Sequence, residues 1–271
     1  MFAEERQQLI VGLVSARGRA SVTDLAERFS ITTETIRRDL AALEAAGSVR
    51  RVHGGAVSPD RLSTTEESIL ERTVLRQPEK TRIAEAALAL IPQDHSGSVL
   101  LDAGSSTEAL AELLASRTAA ARAAAATAPG AGSELVVITH ALPIAAKLSG
   151  EPGIALHLLG GKVRGLTQAA VGQSTVEAAR RIRPDIAFLG TNGIHAAFGL
   201  STPDPEEAAV KAAFVQSARR IVVLADSSKL DAETLVQFAS LKDLDTLITD
   251  TKPSQALADA LAEAGVEVVV A

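Results

Sequence analysis

Small hydroxyl, amide and charged residues recur in this sequence directly after short runs of Val, Leu and Ile. The first such stretch, Asp102-Ala103-Gly104-Ser105-Ser106-Thr107, follows VLL and opens a helix-compatible run. Backbone amides and the dipole at such a helix start suit an anionic group such as phosphate. A plain helix cap is the alternative role for the same hydroxyls. Thr139-His140, Gly160-Gly161 with Lys162 and Arg164, Thr191-Asn192-Gly193, and Asp226-Ser227-Ser228-Lys229 follow further apolar runs. Amides and cations for phosphate, with Asp and Asn side chains for hydroxyls, are the mixture that a phosphorylated, polyhydroxylated small molecule requires.

A second chemistry lies near the start, in residues 32–57, TTETIRRDLAALEAAGSVRRVHGGAV. Ile36, Leu40 and Leu43 fall at i, i+4 and i+7 and point to a core, which leaves Thr33, Glu34, Thr35, Arg37 and Arg38 nearer the other face. Thr32 or Thr33 caps this helix, and Gly47 ends it. Arg50, Arg51 and His53 then lie on an alternating segment closed by Gly54-Gly55, the pattern of a β wing. Arginines early in such a helix reach guanine edges or phosphates in the major groove, and a basic wing touches the backbone.

The elements that must position these groups are legible from periodicity. Leu9, Ile10, Leu13 and Val14 predict a first helix over residues 4–15, and Ser21-Val22-Thr23-Asp24 starts a second one. With the helix after Thr32 this makes a helix-turn-helix. Residues 59–78 are polar and begin with Pro59, so they read as a linker. From residue 79 onward short apolar strands alternate with helices, the pattern of a mostly parallel sheet covered on both faces, in which ligands bind beyond the carboxyl ends of the strands. Residues 116–133 are rich in alanine and end in Pro129-Gly130-Ala131-Gly132; they read as a surface excursion, helical at first and then flexible, without assigned function.

Composition narrows the rest. The absence of cysteine removes disulfides, thiolate metal sites and cysteine nucleophiles together. No run of eighteen apolar residues and no leader-like N-terminus is present, so a soluble cytoplasmic protein without membrane contact is expected. The formal charge of −6 argues against a polyanionic partner only if taken globally: residues 1–58 carry eight Arg and seven acids, whereas the remainder is net −7. The first segment alone is a plausible phosphate partner, and its charge must be concentrated on one face.

These residues carry a resemblance. The segment SVTDLAERFSITTETIRRDLAALEAAGSVRRVHGGA resembles the winged helix-turn-helix of the DeoR family of bacterial transcriptional regulators, including its TIRRDL and RxHGGA elements. LLDAGSST, VVITHALPIA, LHLLGGKVRG, FLGTNGI, GLSTPDPEEAAVK and VVLADSSK are similar, in order, to the effector-sensing domain of that family. The resemblance implies an α+β winged helix-turn-helix over residues 1–58, then a larger α/β domain over 79–271 related in fold to ribose 5-phosphate isomerase. It implies that Thr32, Thr33, Glu34, Thr35, Arg37, Arg38, Arg50, Arg51 and His53 face double-stranded DNA. It also implies a sugar-phosphate effector, and VRGLTQAAVG and GTNG look most like the members controlling uptake of fructose or other phosphotransferase-system sugars. Fructose 1-phosphate is therefore the expected ligand type. Lys211 joins the expected effector site because it matches the family's EAxVK element. Two positions depart from the family: His140 stands where Asn is usual, and Asn192 where Asp is frequent.

The competing expectation is a sugar-phosphate isomerase with an accessory DNA-binding domain. Aldose-ketose interconversion needs a base within reach of a carbon-bound proton. The isomerase motif that GTNGIH resembles has carboxylates where Asn192 and His195 stand, although Asp102, Glu207 and Asp226 keep that reading open. A nicotinamide enzyme is disfavoured because LGGKVRG lacks the GxGxxG spacing. The expectation is thus a regulator without catalytic residues, cofactor or metal, acting as at least a dimer, because paired half-sites mirror protein symmetry.

Overall fold

The computed structural model describes residues 2–17, 19–52, 54–57, 63–64, 66–92, 96–125 and 134–271. These form two compact units, Met1–Thr65 and Glu66–Ala271.

In the first unit, helix α1 (Ala3–Arg17) is followed by strand β1 (Arg19–Ser21), α2 (Val22–Phe29), α3 (Thr33–Ala45), β2 (Arg50–Val52) and β3 (Gly55–Val57). The expected first helix thus extends to both sides of residues 4–15, and the short strand β1 was not anticipated. It pairs antiparallel with β3, which pairs with β2 in turn. Ser21 caps α2 through the Asp24 amide, and Thr32 caps α3 through the Thr35 amide. Ser30 takes a left-handed conformation (φ 54°) that turns the chain from α2 into α3. Ile10, Val14, Leu25, Ile36, Leu40, Leu43, Val49 and Ala56 make the core.

The second unit opens with α4 (Ile69–Val74) and α5 (Gln77–Leu88). The linker expected over 59–78 is therefore shorter: from Glu66 on the chain packs into this unit, with Ile69 buried and its amide bonded to the Leu166 carbonyl. One buried isoleucine and a set of ion pairs replace the apolar stripe whose absence suggested a linker.

Next come β4 (Ser98–Leu101), α6 (Ser105–Ala125), β5 (Leu135–Thr139), α7 (Leu142–Leu148) and β6 (Ile154–Leu158). They are followed by β7 (Lys162–Arg164), β8 (Ala169–Val171), α8 (Gln173–Arg180), β9 (Ile186–Gly190), β10 (Gly193–His195), β11 (Gly199–Thr202) and α9 (Pro205–Ser217). The chain closes with β12 (Ile221–Leu224), β13 (Val236–Ala239), β14 (Thr246–Thr249), α10 (Gln255–Glu263) and β15 (Glu267–Val270). The Ala-rich segment is helical through residue 125; its remainder lies outside the described residues.

Seven strands form a parallel sheet in the order β15-β14-β12-β9-β4-β5-β6. Alternation along each strand feeds two cores: Leu100, Ala187, Leu189 and Val223 face one, whereas Val99, Leu101, Phe188 and Val222 face the other. Successive strands step outward from β4 to β6 on one side and from β9 to β15 on the other. The order therefore reverses between β4 and β9, the place in an open α/β sheet beyond whose strand ends ligands bind. Two antiparallel additions, β7 with β8 and β10 with β11 and β13, were not anticipated from sequence.

Candidate functional site

At that reversal the chain places Asp102 directly after β4 and Gly190 at the end of β9. Asp102 is fully buried. Its Oδ1 faces His140 Nε2 at 3.0 Å, and its Oδ2 accepts from the Gly190 amide at 2.9 Å and from the Lys211 ammonium. Lys211, on α9, is equally enclosed and donates to the Gly190 carbonyl at 2.9 Å, with its Nζ 5.6 Å from the Phe238 ring centre. His140 Nδ1 lies 2.7 Å from the Ala170 carbonyl, and the ring meets the edge of Phe214. Burial by itself would push the Asp102 carboxyl up, but Lys211 and His140 outweigh it and hold the group down at about 2.

A second polar group sits next to the first. Asp204, Glu207 and Lys211 are spaced three and four residues apart on α9 and so share one face of it. Arg164, at the end of β7, reaches Glu66 at 2.7 Å, Glu207 at 3.2 Å and Asp204 at 3.2 Å. Burial alone would lower the Arg164 guanidinium, but Glu207 and Glu66 more than offset it and hold it above its usual value. Thr167 donates to Glu207, and Asn192 Nδ2 lies 3.4 Å from Glu66.

The remaining expected effector residues divide. Ser105 and Ser106 begin the long helix α6, and among the described residues neither hydroxyl has a hydrogen-bond partner; Thr107 is turned back onto the Gly104 carbonyl. Thr139 donates to the Leu101 carbonyl, and Thr191 to those of Gly193 and Ser201, so both hydroxyls hold backbone. Gly161 presses against α8, where a Cβ would stand 2.1 Å from Thr175 Oγ1, while the Gly160 carbonyl accepts from the Thr175 hydroxyl at 2.9 Å. Gly193 likewise lies where a Cβ would meet the Ala232 carbonyl at 2.4 Å. Asp226 is buried, accepts from Ser228 and faces Arg76 at 3.8 Å, while the Lys229 carbonyl accepts from the Ile194 amide. Glu66, Arg72 and Asp204 were not among the expected site residues. Among the described residues no cluster of His, Asp and Glu is placed to hold a metal ion.

In the first unit Thr32, Thr33, Glu34, Arg37 and Arg38 are exposed on one side of α3, with Thr35 half-buried and hydroxyl-bonded to Thr32. Arg37 lies 3.5 Å from Glu34. Arg50 and Arg51 are exposed on β2, and the Arg51 amide donates to Glu44 on α3, tying the wing to the helix. His53 lies outside the described residues. Unanticipated from sequence is the pair of Arg6 with Asp39, 2.6 Å apart and buried, which joins α1 to the inward side of α3.

A winged helix-turn-helix joined to an α/β unit with a buried polar cluster at its strand-order reversal is the make-up of a ligand-responsive transcriptional regulator. The comparisons make this particular: residues 6–62 match the DeoR-like helix-turn-helix domain and residues 75–251 the DeoR C terminal sensor domain. The chain belongs to the DeoR family. It is 32% identical over 253 residues to the uncharacterized HTH-type transcriptional regulator FruR of Bacillus subtilis, covering 93% of each chain. It is 28% identical to the glycerol-3-phosphate regulon repressor of Escherichia coli, again covering 93% of each. Ribose 5-phosphate isomerase from Methanocaldococcus jannaschii shares 18% identity and a TM-score of 0.39, covering 57% of this chain and 54% of that one, a likeness too distant to bear on activity. The chain is thus a DNA-binding transcriptional regulator and not an enzyme. No described helix is long and apolar enough to cross a membrane.

Proposed function

We propose that this chain is a cytoplasmic repressor of genes for uptake or catabolism of a sugar, released from its operator when a phosphorylated sugar such as fructose 1-phosphate binds beyond β4 and β9. The observation that carries this reading is that the start of α6, with no hydrogen-bond partner for the Ser105 and Ser106 hydroxyls among the described residues, directly follows buried Asp102 and its partner Lys211, with the partly buried Arg164 and Asn192 joined through Glu66. The first-turn amides of α6 suit the phosphate, and the carboxylates and amide suit the sugar hydroxyls. A relative named for a glycerol-3-phosphate regulon agrees with a phosphorylated small molecule as the signal. On the DNA side, Thr32, Thr33, Glu34, Thr35, Arg37 and Arg38 read the major groove, while Arg50, Arg51 and His53 hold the backbone. Two copies acting together supply the specificity that one helix-turn-helix lacks.

The test is a gel shift on the DNA upstream of the chain's own gene, challenged with fructose 1-phosphate, glucose 6-phosphate, ribose 5-phosphate and the unphosphorylated sugars. A sequence-specific shift weakened about 5 to 150-fold by one phosphorylated sugar is expected, which corresponds to roughly 1 to 3 kcal/mol of coupling. Arg37→Ala should lose about 1 to 3 kcal/mol of operator binding and leave effector binding unchanged. A shift indifferent to every phosphorylated sugar overturns the sensor reading, and an unchanged Arg37→Ala footprint overturns the recognition-helix assignment.

A further inference from the structure

Glu66 is the first residue of the second unit, directly after the chain leaves the DNA-binding unit. Its neighbour Glu67 is exposed, yet the Glu66 side chain is only 2% exposed. It projects into the expected effector site, where it takes Arg164 at 2.7 Å, Asn192 at 3.4 Å and Arg72 at 3.5 Å. A carboxylate so enclosed is costly unless every contact is good, and here one of the three is. Arg72, moreover, keeps a buried Nε that makes no hydrogen bond among the described residues.

We propose that Glu66 is an internal ligand of the Arg164-Arg72-Asn192 cluster, and that the hydroxyl face of a sugar phosphate competes with it for these donors. This rests on the sensor reading above and names the contact through which capture of the ligand is felt.

Charge decides which part of the ligand goes there. Around Arg164 stand Glu66, Asp204 and Glu207, against the two cations Arg164 and Arg72, an excess of one negative charge. With Glu66 withdrawn, two carboxylates balance two guanidiniums. A neutral position of this kind suits hydroxyls, which donate to Asp204 and Glu207 and accept from Arg164, Arg72 and Asn192. A second phosphate there would restore and enlarge the excess, so the phosphate belongs at the start of α6. Arg164 keeps Glu207 and Asp204 when Glu66 leaves, whereas Arg72 gives up its ion pair with Glu66 and takes a ligand oxygen in its place. The contacts beside Glu66 are local: Ser68 caps α4 through the Glu71 amide, and the Ile69 amide is held by the Leu166 carbonyl. Withdrawal of Glu66 therefore loosens the start of α4, where the chain enters from the DNA-binding unit.

The test uses the full chain. Calorimetric titration with fructose 1-phosphate, glucose 6-phosphate and ribose 5-phosphate is carried out on wild type, Glu66→Ala and Glu66→Gln, alongside hydrogen exchange of residues 66–74. A Glu66-out state populated at about 10% or less taxes the wild-type affinity about tenfold or more, so Glu66→Ala should bind that much tighter, with Glu66→Gln in between. Saturating ligand should also lower protection of the amides at 69–74 in wild type, and Glu66→Ala should show that lowered protection without ligand. If wild type binds but Glu66→Ala binds equally or more weakly while keeping the wild-type melting profile, the competition is overturned and the sensor reading stands. If Glu66→Ala is too unstable to assay, an unchanged affinity in Glu66→Gln overturns it instead. If none of the three chains binds a sugar phosphate, the sensor reading falls and the competition with it.

Discussion

Replacing Lys211 by methionine tests whether the buried network is a mutually dependent unit. The substitution keeps the length and apolar body of the side chain and removes only the ammonium. Asp102 would retain the Gly190 amide and His140 but lose its full positive partner, with both oxygens still sealed from water. Removing one member of a buried ion pair costs about 3 to 5 kcal/mol. For a domain of this size each kcal/mol corresponds to roughly 2 to 4 °C in melting temperature, so Lys211→Met should lower the melting of the second unit by about 6 to 20 °C at pH 7. The pH dependence carries the argument further. In wild type the Asp102 carboxyl sits at about 2 against an ordinary 3.8, so it contributes about 2 kcal/mol that is fully present above pH 4 and is lost as pH falls toward 2. In Lys211→Met burial is opposed only by His140 and the amide, which places the carboxyl above the wild-type value and lets it neutralise earlier. The stability gap between the two proteins should therefore be widest near neutrality and shrink as pH is lowered from 7 to 4. Scanning calorimetry across that range measures it, and Asp102→Asn in the Lys211→Met background should recover part of the loss. A melting shift under about 2 °C, or a gap of the same size at every pH, would refute a buried, charged pair.

Two further outcomes are expected. Burial pulls the Lys80 ammonium down to about 8, only partly offset by Asp226, so the unfolded chain binds the extra proton between pH 8 and 10 and this group's contribution to stability rises with pH across that window; Lys80→Met should remove that component in paired melts. A Cβ on Gly55 would lie 2.2 Å from the Ala20 carbonyl where β3 pairs with β1, so Gly55→Ala should cost the first unit more than about 2 kcal/mol and weaken DNA binding through the wing, which chemical denaturation and gel shift read separately.

How much of this was written locally in the chain differs from residue to residue. The parallel strands are short runs of Val, Leu and Ile alternating with helices, and that signal needs no partner to be read; β12 lies where its IVVL run predicts it. The position of Asp102 follows at once, because it comes directly after such a run. Lys211 carried a signal of another kind: α9 is apolar almost all round, and a lysine inside a buried helix must find an anion. Glu66 had no local signal. Its main partner is Arg164, 98 residues away, and a polar segment held by ion pairs looks in sequence like one held by nothing. The same limit hid Arg6 and Asp39, 33 residues apart and each common on a solvated helix face. The threonines and glycines at the strand ends show the reverse case, since a hydroxyl that will cap a backbone carbonyl and one that will meet a ligand are the same in sequence.

Helix α9 makes one unit of the two polar groups beyond the sheet. Its capping residue Asp204 and its Glu207 hold Arg164, and one turn further Lys211 holds Asp102, so a movement that alters one set of contacts strains the other through a rigid helix. Buried ion pairs do not stretch gradually: beyond hydrogen-bonding distance in a dry site each partner bears its full desolvation cost. Such an arrangement has few intermediate states, which is the property a two-state sensor requires. Sugar hydroxyls that replace Glu66 on Arg164 would leave the α9 contacts intact, with the phosphate held at the start of α6. The change is then confined to residues 66–74, the segment through which the second unit is connected along the chain to the DNA-binding helix.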